Sequence, residues 1–178
     1  VEAAEILRVM FYFMGKVRFL KTGSEASIAS LRIARSHTKR SIVLSEGYHA
    51  WHDEFVSLTP PATGCVEHKF IEKLTSLNQI NENVAAVIVE PVITDFSSSR
   101  MQFLIELRER CTKYGVMLIF DEIITGFRYR KNAVCLDTGI RPDILLLGKA
   151  LGGGLPLSAV LTAPGIGEDQ DWFVSSTF

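Results

Sequence analysis

The sequence predicts a three-layer α/β fold in which helices flank a mostly parallel sheet on both faces. Two apolar runs, Val84–Val89 and Ile144–Leu147, are continuous rather than alternating, as in strands that are buried on both sides. Helical patterns separate the apolar runs, and this alternation of strands with helices favours a doubly wound sheet. The chain has 178 residues, which is enough for one domain or most of one.

The first part of the chain predicts a helix, a strand, a second helix and a second strand. Ile6, Leu7, Met10, Phe11 and Met14 follow a helical period, and residues 17–20 form a short apolar strand. Residues 22–24 predict a turn, after which small apolar side chains recur on one face of a helix at 25–38. Residues 41–45 predict the next strand. Residues 46–66 predict a long loop, because their Gly, Pro and aromatic residues have no period.

The second part of the chain predicts two more helices and four more strands. Residues 66–77 predict a helix and Val84–Val89 a buried strand. Residues 99–114 predict an amphipathic helix that ends at Gly115, since glycine readily adopts the left-handed conformation at a helix end. Strands are predicted at 116–120, at Ile144–Leu147 and at 157–162.

Charge and cysteine content narrow the classes of partner. The formal net charge is -1 and charges of both signs are interspersed, which gives no electrostatic reason to expect nucleic acid or an anionic membrane as a partner. Cys65, Cys111 and Cys135 form no Cys-x-x-Cys pair, so we expect reduced thiols and a cytoplasmic protein. No stretch approaches the roughly 20 apolar residues of a membrane span.

An acid and an amine each follow a predicted strand. Asp121 ends the strand at 116–120, and Lys149 follows Ile144–Leu147 and precedes three glycines at 152–154. Open α/β sheets bind their ligands at the carboxyl ends of their strands. Such a pair suits a cofactor that needs one protonated ring nitrogen and one amine for a Schiff base.

Each of these residues also has a simpler interpretation. Lys149 alone is typical of a solvated lysine, and Asp121 of a carboxylate that caps the next loop. Gly23 and Ser24 open a helix whose N–H groups suit a phosphate, but Ser24 also suits an ordinary N-cap. A metal site from His49, His52 and Asp53 is the weaker alternative, because zinc sites usually have three or four well-spaced ligands and no further cluster is present.

Five ordered blocks resemble the class III aminotransferase family, and within it the glutamate-1-semialdehyde aminomutase-like branch. The blocks are residues 19–26, 48–53, 88–92, 118–128 and 142–159. The family has the fold type I architecture of enzymes that use pyridoxal 5'-phosphate (PLP). The resemblance implies that this chain has the major PLP-binding domain of that fold.

The resemblance also implies a role for each candidate residue. Lys149 is expected to hold PLP as a Schiff base, and Asp121 to pair with its pyridine nitrogen. Ile123 and Tyr48 are expected on the two ring faces, with His49 helping to place Tyr48. The remaining expected contacts are to the phosphate or the hydrogen-bond network: Gly23, Ser24, Glu90 and Thr177.

Two of these assignments keep a structural alternative. Glu90 is nearly as well explained by a purely structural role at a strand end. Thr177 resembles a threonine that reaches the phosphate of the neighbouring subunit, which implies a homodimer with a shared active site, but a simple Ser/Thr turn explains it equally well. No metal is expected.

The implied function is the transfer of an amino group from a small-molecule amino donor to a carbonyl acceptor, or an aminomutase reaction within one molecule. Asp95 and Ile124 stand where many ω-aminotransferases carry glutamate and glutamine, which disfavours a standard ornithine or GABA aminotransferase. The alternatives are a PLP-dependent racemase or epimerase, and a PLP-binding but catalytically incomplete fragment. A nucleotide-binding domain is disfavoured because no Gly-x-Gly-x-x-Gly follows a strand.

The ends of the sequence bear on domain organisation. The sequence begins without methionine inside a helical pattern and stops within a family motif. We therefore expect residues 1–178 to be the central part of a large domain, with an N-terminal segment and a C-terminal small domain outside them.

Overall fold

The computed structural model of the protein describes residues 2–58, 63–92, 96–129 and 132–168. Within them, seven strands form one sheet in the order β1-β7-β6-β5-β4-β2-β3. The strands are β1 Lys16–Leu20, β2 Ile42–Glu46, β3 Ile71–Lys73, β4 Val84–Val89, β5 Met117–Asp121, β6 Ile144–Leu147 and β7 Ser158–Thr162. The helices are α1 Glu2–Met10, α2 Gly23–Thr38, α3 Asp53–Val56, α4 Ser98–Tyr114 and α5 Val134–Thr138, with 3-10 turns at Leu77–Gln79 and Lys149–Gly152.

The sheet is mostly parallel, as predicted. Strands β2 to β6 pair in parallel with one another, and β7 runs antiparallel to both of its neighbours, β6 and β1. Every residue of β4 and β6 is buried, which explains why these two strands are continuous apolar runs in the sequence.

Helices cover both faces of the sheet, so the predicted three-layer fold is confirmed. Successive strand residues point to opposite faces, and Val87 and Ile88 accordingly belong to different core clusters. On the first face α1, α4 and α5 contribute Leu7, Leu107 and Cys135. On the second face α2 contributes apolar residues between Ala26 and Ala34, and α3 contributes Phe55.

The helix predicted at residues 66–77 is wrong. This segment contains β3 and the 3-10 turn that begins at Leu77. Val66 and Phe70 are 71% and 50% exposed, so the segment has no buried helical face. Instead, Ile71 is buried against β2 through the parallel pairing of Val43 with Ile71.

The start of one helix and the presence of two short helices also differ from the predictions. Helix α2 begins at Gly23, because the Thr22 side chain accepts the N–H of Glu25 and the Glu25 carboxylate accepts the N–H of Thr22. Thr22, not Ser24, is therefore the N-cap. The short helices α3 and α5 were not predicted, since four or five residues are too few to show a helical period.

No helix in the described part of the chain is long and apolar enough to cross a membrane.

Candidate active site

The carboxyl ends of four parallel strands meet at one edge of the sheet and deliver polar side chains there. Asp121 ends β5, and Lys149 lies two residues beyond β6. Glu90 follows β4 directly, while Tyr48 and His49 follow β2. This is the edge at which open α/β sheets bind ligands.

A cavity of about 410 Å³ opens at this edge, a size in the range of small-molecule and cofactor sites. The structure brings eight of the sequence-predicted residues to its wall: Gly23, Ser24, Tyr48, His49, Glu90, Asp121, Ile123 and Lys149. The ninth, Thr177, and also Asp95, lie outside the described residues. The wall further includes Lys21 and the segment 155–157, which sequence reasoning did not single out, and Ile124, which it noted only as a departure from many ω-aminotransferases.

Lys149 is exposed and begins the 3-10 turn that follows Gly148. Its φ of +41° lies in the left-handed region, which is unfavourable for a residue with a Cβ. Backbone strain of this kind is concentrated at functional sites. Because Lys149 lies two residues after β6, the end of this strand places its Cα atom beside the cavity.

Asp121 is paired with His49. The His49 Nδ1 atom lies 2.8 Å from Asp121 Oδ2, and both side chains are almost fully buried. His49 Nε2 lies 3.1 Å from the carbonyl oxygen of Glu46, which can only accept, so Nε2 carries a hydrogen. The Nδ1–Oδ2 contact consequently shares one proton, carried by the imidazole or by the carboxyl. The second carboxylate oxygen of Asp121 accepts the N–H of Ile123 at 3.1 Å.

The sequence did not indicate this pairing. His49 was expected to help place Tyr48, yet its ring nitrogens bond to Asp121 and Glu46. The two partners of the pair are 72 residues apart in the chain. The adjacent Tyr48-His49 motif was the available signal for a role near the cavity, but no local pattern identifies the partner.

Tyr48 is held through its backbone rather than its ring. Its N–H donates to Glu90 Oε2 at 2.9 Å, and its side chain is 58% exposed at the cavity. The preceding Gly47 has a φ of +108°, and a Cβ there would lie 2.5 Å from Glu90 Oε2. Glycine is thus required for the Glu90 carboxylate to approach the chain this closely.

The N-terminus of α2 forms another wall of the cavity. Gly23 and Ser24 are its first two residues, and the first N–H groups of a helix have no acceptor inside the helix. A Cβ on Gly23 would lie 2.8 Å from Ile123 Cδ1. The glycine therefore lets Ile123 pack directly against the end of the helix.

Glu122 points away from the cavity and holds the loop behind it. Its carboxylate is fully buried and accepts the N–H groups of Val134 at 2.6 Å and Cys135 at 2.9 Å. Burial raises the pKa of the Glu122 carboxyl, and the N–H groups of Cys135 and Val134 oppose that shift. Successive residues of an extended chain point in opposite directions, which explains why Glu122 is buried away from the cavity that Asp121 faces.

The alternative of a metal site receives no support from the geometry. Both ring nitrogens of His49 are used by Asp121 and Glu46. Across the residues whose structure is described, no group of three or more His, Cys, Asp or Glu side chains could hold a metal ion.

A three-layer α/β domain with a lysine, a carboxylate and a helix N-terminus on one strand-end cavity resembles known proteins in both sequence and structure. Residues 55–170 match the family described as Aminotransferase class-III. The chain belongs to this family. The glutamate-1-semialdehyde 2,1-aminomutase of Chloroherpeton thalassium is 37% identical over 183 residues, which cover 89% of this chain and 42% of that protein.

A second relative gives the same result. The glutamate-1-semialdehyde 2,1-aminomutase of Aquifex aeolicus is also 37% identical, over 89% of this chain and 43% of that protein. The chain thus spans less than half the length of these relatives.

Two solved structures share the fold. The FumI protein of Sphingopyxis sp. MTA144, in its PLP internal aldimine form, has a TM-score of 0.87 at 26% identity, over 99% of this chain and 46% of that one. An S-selective transaminase from Arthrobacter sp. has a TM-score of 0.80 at 25% identity, over 98% of this chain and 50% of that one. The fold is therefore the α/β fold type I that these two structures share.

Proposed function

We propose that this chain binds PLP in the strand-end cavity and forms part of an enzyme that transfers an amino group between an amino donor and a carbonyl acceptor. The observation that carries the proposal is the presence of Lys149 and Asp121 on one cavity at the carboxyl edge of the sheet. Membership of the class-III aminotransferase family supports it, as does the PLP-bound form of the similar FumI protein.

The residues of the cavity fit this cofactor. A planar ring with a phosphate, an aldehyde and a ring nitrogen needs an anion site, an amine, an acid and two apolar faces. Gly23 and Ser24 at the N-terminus of α2 suit the phosphate. Tyr48 and the branched Ile123 suit the two ring faces. Asp121 supplies the acid for the ring nitrogen, and Lys149 supplies the amine for the aldehyde.

In the proposed mechanism Asp121 and Lys149 each act on one proton, and His49 orients Asp121. Bound PLP supplies an aldehyde that condenses with amines and a protonated ring that accepts electrons. Asp121 holds a proton on the ring nitrogen, because an opposite charge at close range favours the charged form. His49 fixes the orientation of that carboxylate. Lys149 would hold the cofactor through its Nζ atom, and the same amine would be placed to accept a proton from the donor and to return it.

The reaction is assigned to the aminomutase branch or to intermolecular aminotransfer between small molecules. The similarity to glutamate-1-semialdehyde 2,1-aminomutases supports the former, and the similarity to an S-selective transaminase the latter. A homodimer in which Thr177 reaches the phosphate of the neighbouring site is part of the same proposal.

The first test is reductive trapping of the cofactor. The purified chain is mixed with PLP, reduced with borohydride and mapped by mass spectrometry. We expect one pyridoxyl adduct, on Lys149, that is absent in Lys149→Ala and retained in Lys113→Ala, a matched change on the exposed surface of α4. Adducts scattered over surface lysines, or none in the folded chain, would overturn the proposal for this chain.

A half-reaction separates the reaction classes. Addition of an amino donor to the PLP-loaded chain is expected to produce pyridoxamine 5'-phosphate and the matching carbonyl product. Racemisation of the donor without pyridoxamine indicates a racemase or epimerase. Binding of PLP at Lys149 without either product indicates a PLP-binding chain that is catalytically incomplete.

A further inference from the structure

Arg100 lies in the first turn of α4, outside the wall of the cavity, yet its guanidinium joins two of the strand ends that build it. Its Nη1 and Nη2 atoms donate to both carboxylate oxygens of Glu46, at 2.9 and 2.8 Å. Its Nε donates to the carbonyl oxygen of Pro91 at 3.1 Å, and Nη2 also donates to the carbonyl oxygen of Glu90. One side chain therefore ties the end of β2 to the end of β4.

The backbone and side chains that Arg100 holds are those that orient the proposed cofactor site. The Glu46 carbonyl accepts His49 Nε2 at 3.1 Å, and His49 Nδ1 bonds to Asp121 at 2.8 Å. The Glu90 carboxylate accepts the N–H of Tyr48 at 2.9 Å. A continuous set of hydrogen bonds thus leads from Arg100 through Glu46 and His49 to the acid of the site.

We propose that Arg100 is a positioning residue that sets the His49–Asp121 pair and Tyr48 by fixing the ends of β2 and β4. This inference rests on the proposed PLP site, but its geometric part concerns only residues of this chain. Arg100 does not line the cavity and is expected to act entirely through Glu46, Glu90 and Pro91.

The geometry requires a guanidinium. The Arg100 and Glu46 side chains are 14% and 27% exposed, so the pair is partly shielded from water, and a bidentate fork is the strong form of such a contact. The Arg100 guanidinium also lies 4.8 Å from the centroid of the Phe103 ring, over its face. A lysine keeps the charge but has a single nitrogen, which cannot satisfy a carboxylate and two carbonyl groups in this plane.

The same helix provides a matched control. Arg108, eight residues further along α4, forms an ion pair of 2.8 Å with Asp143, and these side chains are 21% and 23% exposed. Asp143 precedes β6 and also accepts the N–H of Leu118, at the opposite edge of the sheet. Arg108→Lys therefore replaces a guanidinium in a similar ion pair on the same helix without touching the cavity edge.

The first measurement uses the cofactor-free chain. The proton that lies between His49 Nδ1 and Asp121 Oδ2 in the buried contact is expected to give a slowly exchanging, downfield signal in a proton NMR spectrum, assigned by its loss in His49→Gln. We expect Arg100→Lys to shift this signal or to speed its exchange with water at least about tenfold, which corresponds to about 1.4 kcal/mol. Arg108→Lys is expected to leave it within about twofold of wild type at a similar loss of thermal stability.

The second measurement uses the PLP-loaded chain. Arg100→Lys is expected to weaken PLP binding about tenfold and to move the pH at which the absorption band of the lysine-bound cofactor changes, whereas Arg108→Lys moves neither. Glu46→Gln keeps the size of the partner but removes its charge, and is expected to shift both quantities in the same direction. This second variant tests the network if Arg100→Lys does not fold.

Two results would overturn the inference. One is a wild-type His49 signal and wild-type PLP affinity in folded Arg100→Lys or Glu46→Gln. The other is an equal change in Arg100→Lys and Arg108→Lys, which would make Arg100 a stabilising residue only. If no form of the chain binds PLP at Lys149, the proposed function fails, and the NMR comparison on the cofactor-free chain still decides the role of Arg100.

Discussion

The backbone conformation at Lys149, the proposed catalytic lysine, favours glycine. Lys149 has a φ of +41°, a conformation that destabilises an L-residue by roughly 1–2 kcal/mol and glycine hardly at all. Gly148 on its amino side is buried with a Cβ position only 3.2 Å from Ile123 Cγ2, so the chain has little room to relax. The fold therefore maintains a strained lysine at the cavity, which is the pattern expected when a side chain is retained for chemistry.

This strain predicts an unusual order of stabilities for two substitutions that both remove the amine. We expect Lys149→Gly to be more stable than Lys149→Ala by about 0.5–1 kcal/mol, because the left-handed penalty on alanine exceeds the extra unfolded-state entropy of glycine. Urea denaturation of the two variants measures the difference. At Glu109 in α4 the same comparison should reverse, since alanine is favoured in a helix by about 1 kcal/mol. Equal stabilities of the Lys149 pair would show that the strain is absent.

At the scale of elements, the sequence predicted those strands and helices that have a clear local pattern of apolar residues. The strands β4, β5, β6 and β7 were located because burial on both faces makes their central residues apolar; polar residues occur only at their ends, Asp121 in β5 and Ser158 and Thr162 in β7. The error at 66–77 has the opposite cause: the edge strand β3 has three residues, of which only Ile71 is buried, so its pairing with β2 leaves almost no pattern. Helix α5 was missed for a similar reason, since its N-cap Ala133 makes no side-chain hydrogen bond.

Helix α5 depends on Glu122 in place of a local cap. The carboxylate accepts the N–H groups of Val134 and Cys135, the first two residues of the helix. We expect Glu122→Gln to reduce the free energy of unfolding by about 1–3 kcal/mol at pH 4.5, because an amide nitrogen cannot accept a hydrogen bond from these N–H groups, whereas both oxygens of the carboxyl can. The loop between Glu122 and α5 includes Ile123 and Ile124 of the cavity wall, so loosening it is also expected to weaken PLP binding.

The same substitution tests the protonation of Glu122. Burial raises its pKa above the ordinary value of 4.5, so the folded chain holds this proton at a pH where the unfolded chain has lost it. Stability from the protonated form is complete below 4.5 and is lost as the pH rises through the folded-state pKa. The stability difference between wild type and Glu122→Gln should therefore narrow as the pH is raised from 4.5 to 8. A difference that widens would mean that the hydrogen bonds outweigh burial.

At the scale of the whole molecule, the site is assembled from contacts that no local pattern encodes. Local signals at strand ends and at a helix start predicted the acid, the amine and the anion site of the cavity, whereas Tyr48, His49, Ile123 and Glu90 were predicted from the family resemblance. Their partners were not: His49 bonds to Asp121 across 72 residues, and Arg100 to Glu46 across 54. Such pairings follow from the strand order, in which β4 and β5 lie side by side and β2 borders β4.

The chemical reactivity of the three cysteine thiols measures how readily the core of the protein opens. Cys111 and Cys135 are buried, on α4 and α5 respectively, whereas Cys65 is partly exposed. Burial raises the pKa of the Cys111 thiol from 9.0 to about 12 and raises that of the Cys135 thiol as well. Because the thiolate is the reactive form, iodoacetamide at pH 8 is expected to modify Cys65 quickly and the other two only when the core opens.

Peptide mapping over time checks this expectation, and Cys65→Ser should remove the fast modification. The slow modification of Cys111 should accelerate with urea in step with global unfolding, since both core clusters pack on one continuous sheet. Stability should also fall as the pH rises from 9 towards 12, because the unfolded thiol of Cys111 loses its proton before the folded one does. Modification of Cys111 at the rate of Cys65 in the native chain would mean that α4 detaches from the sheet without global unfolding. Arg100 would then be unable to hold the ends of β2 and β4 in a fixed position.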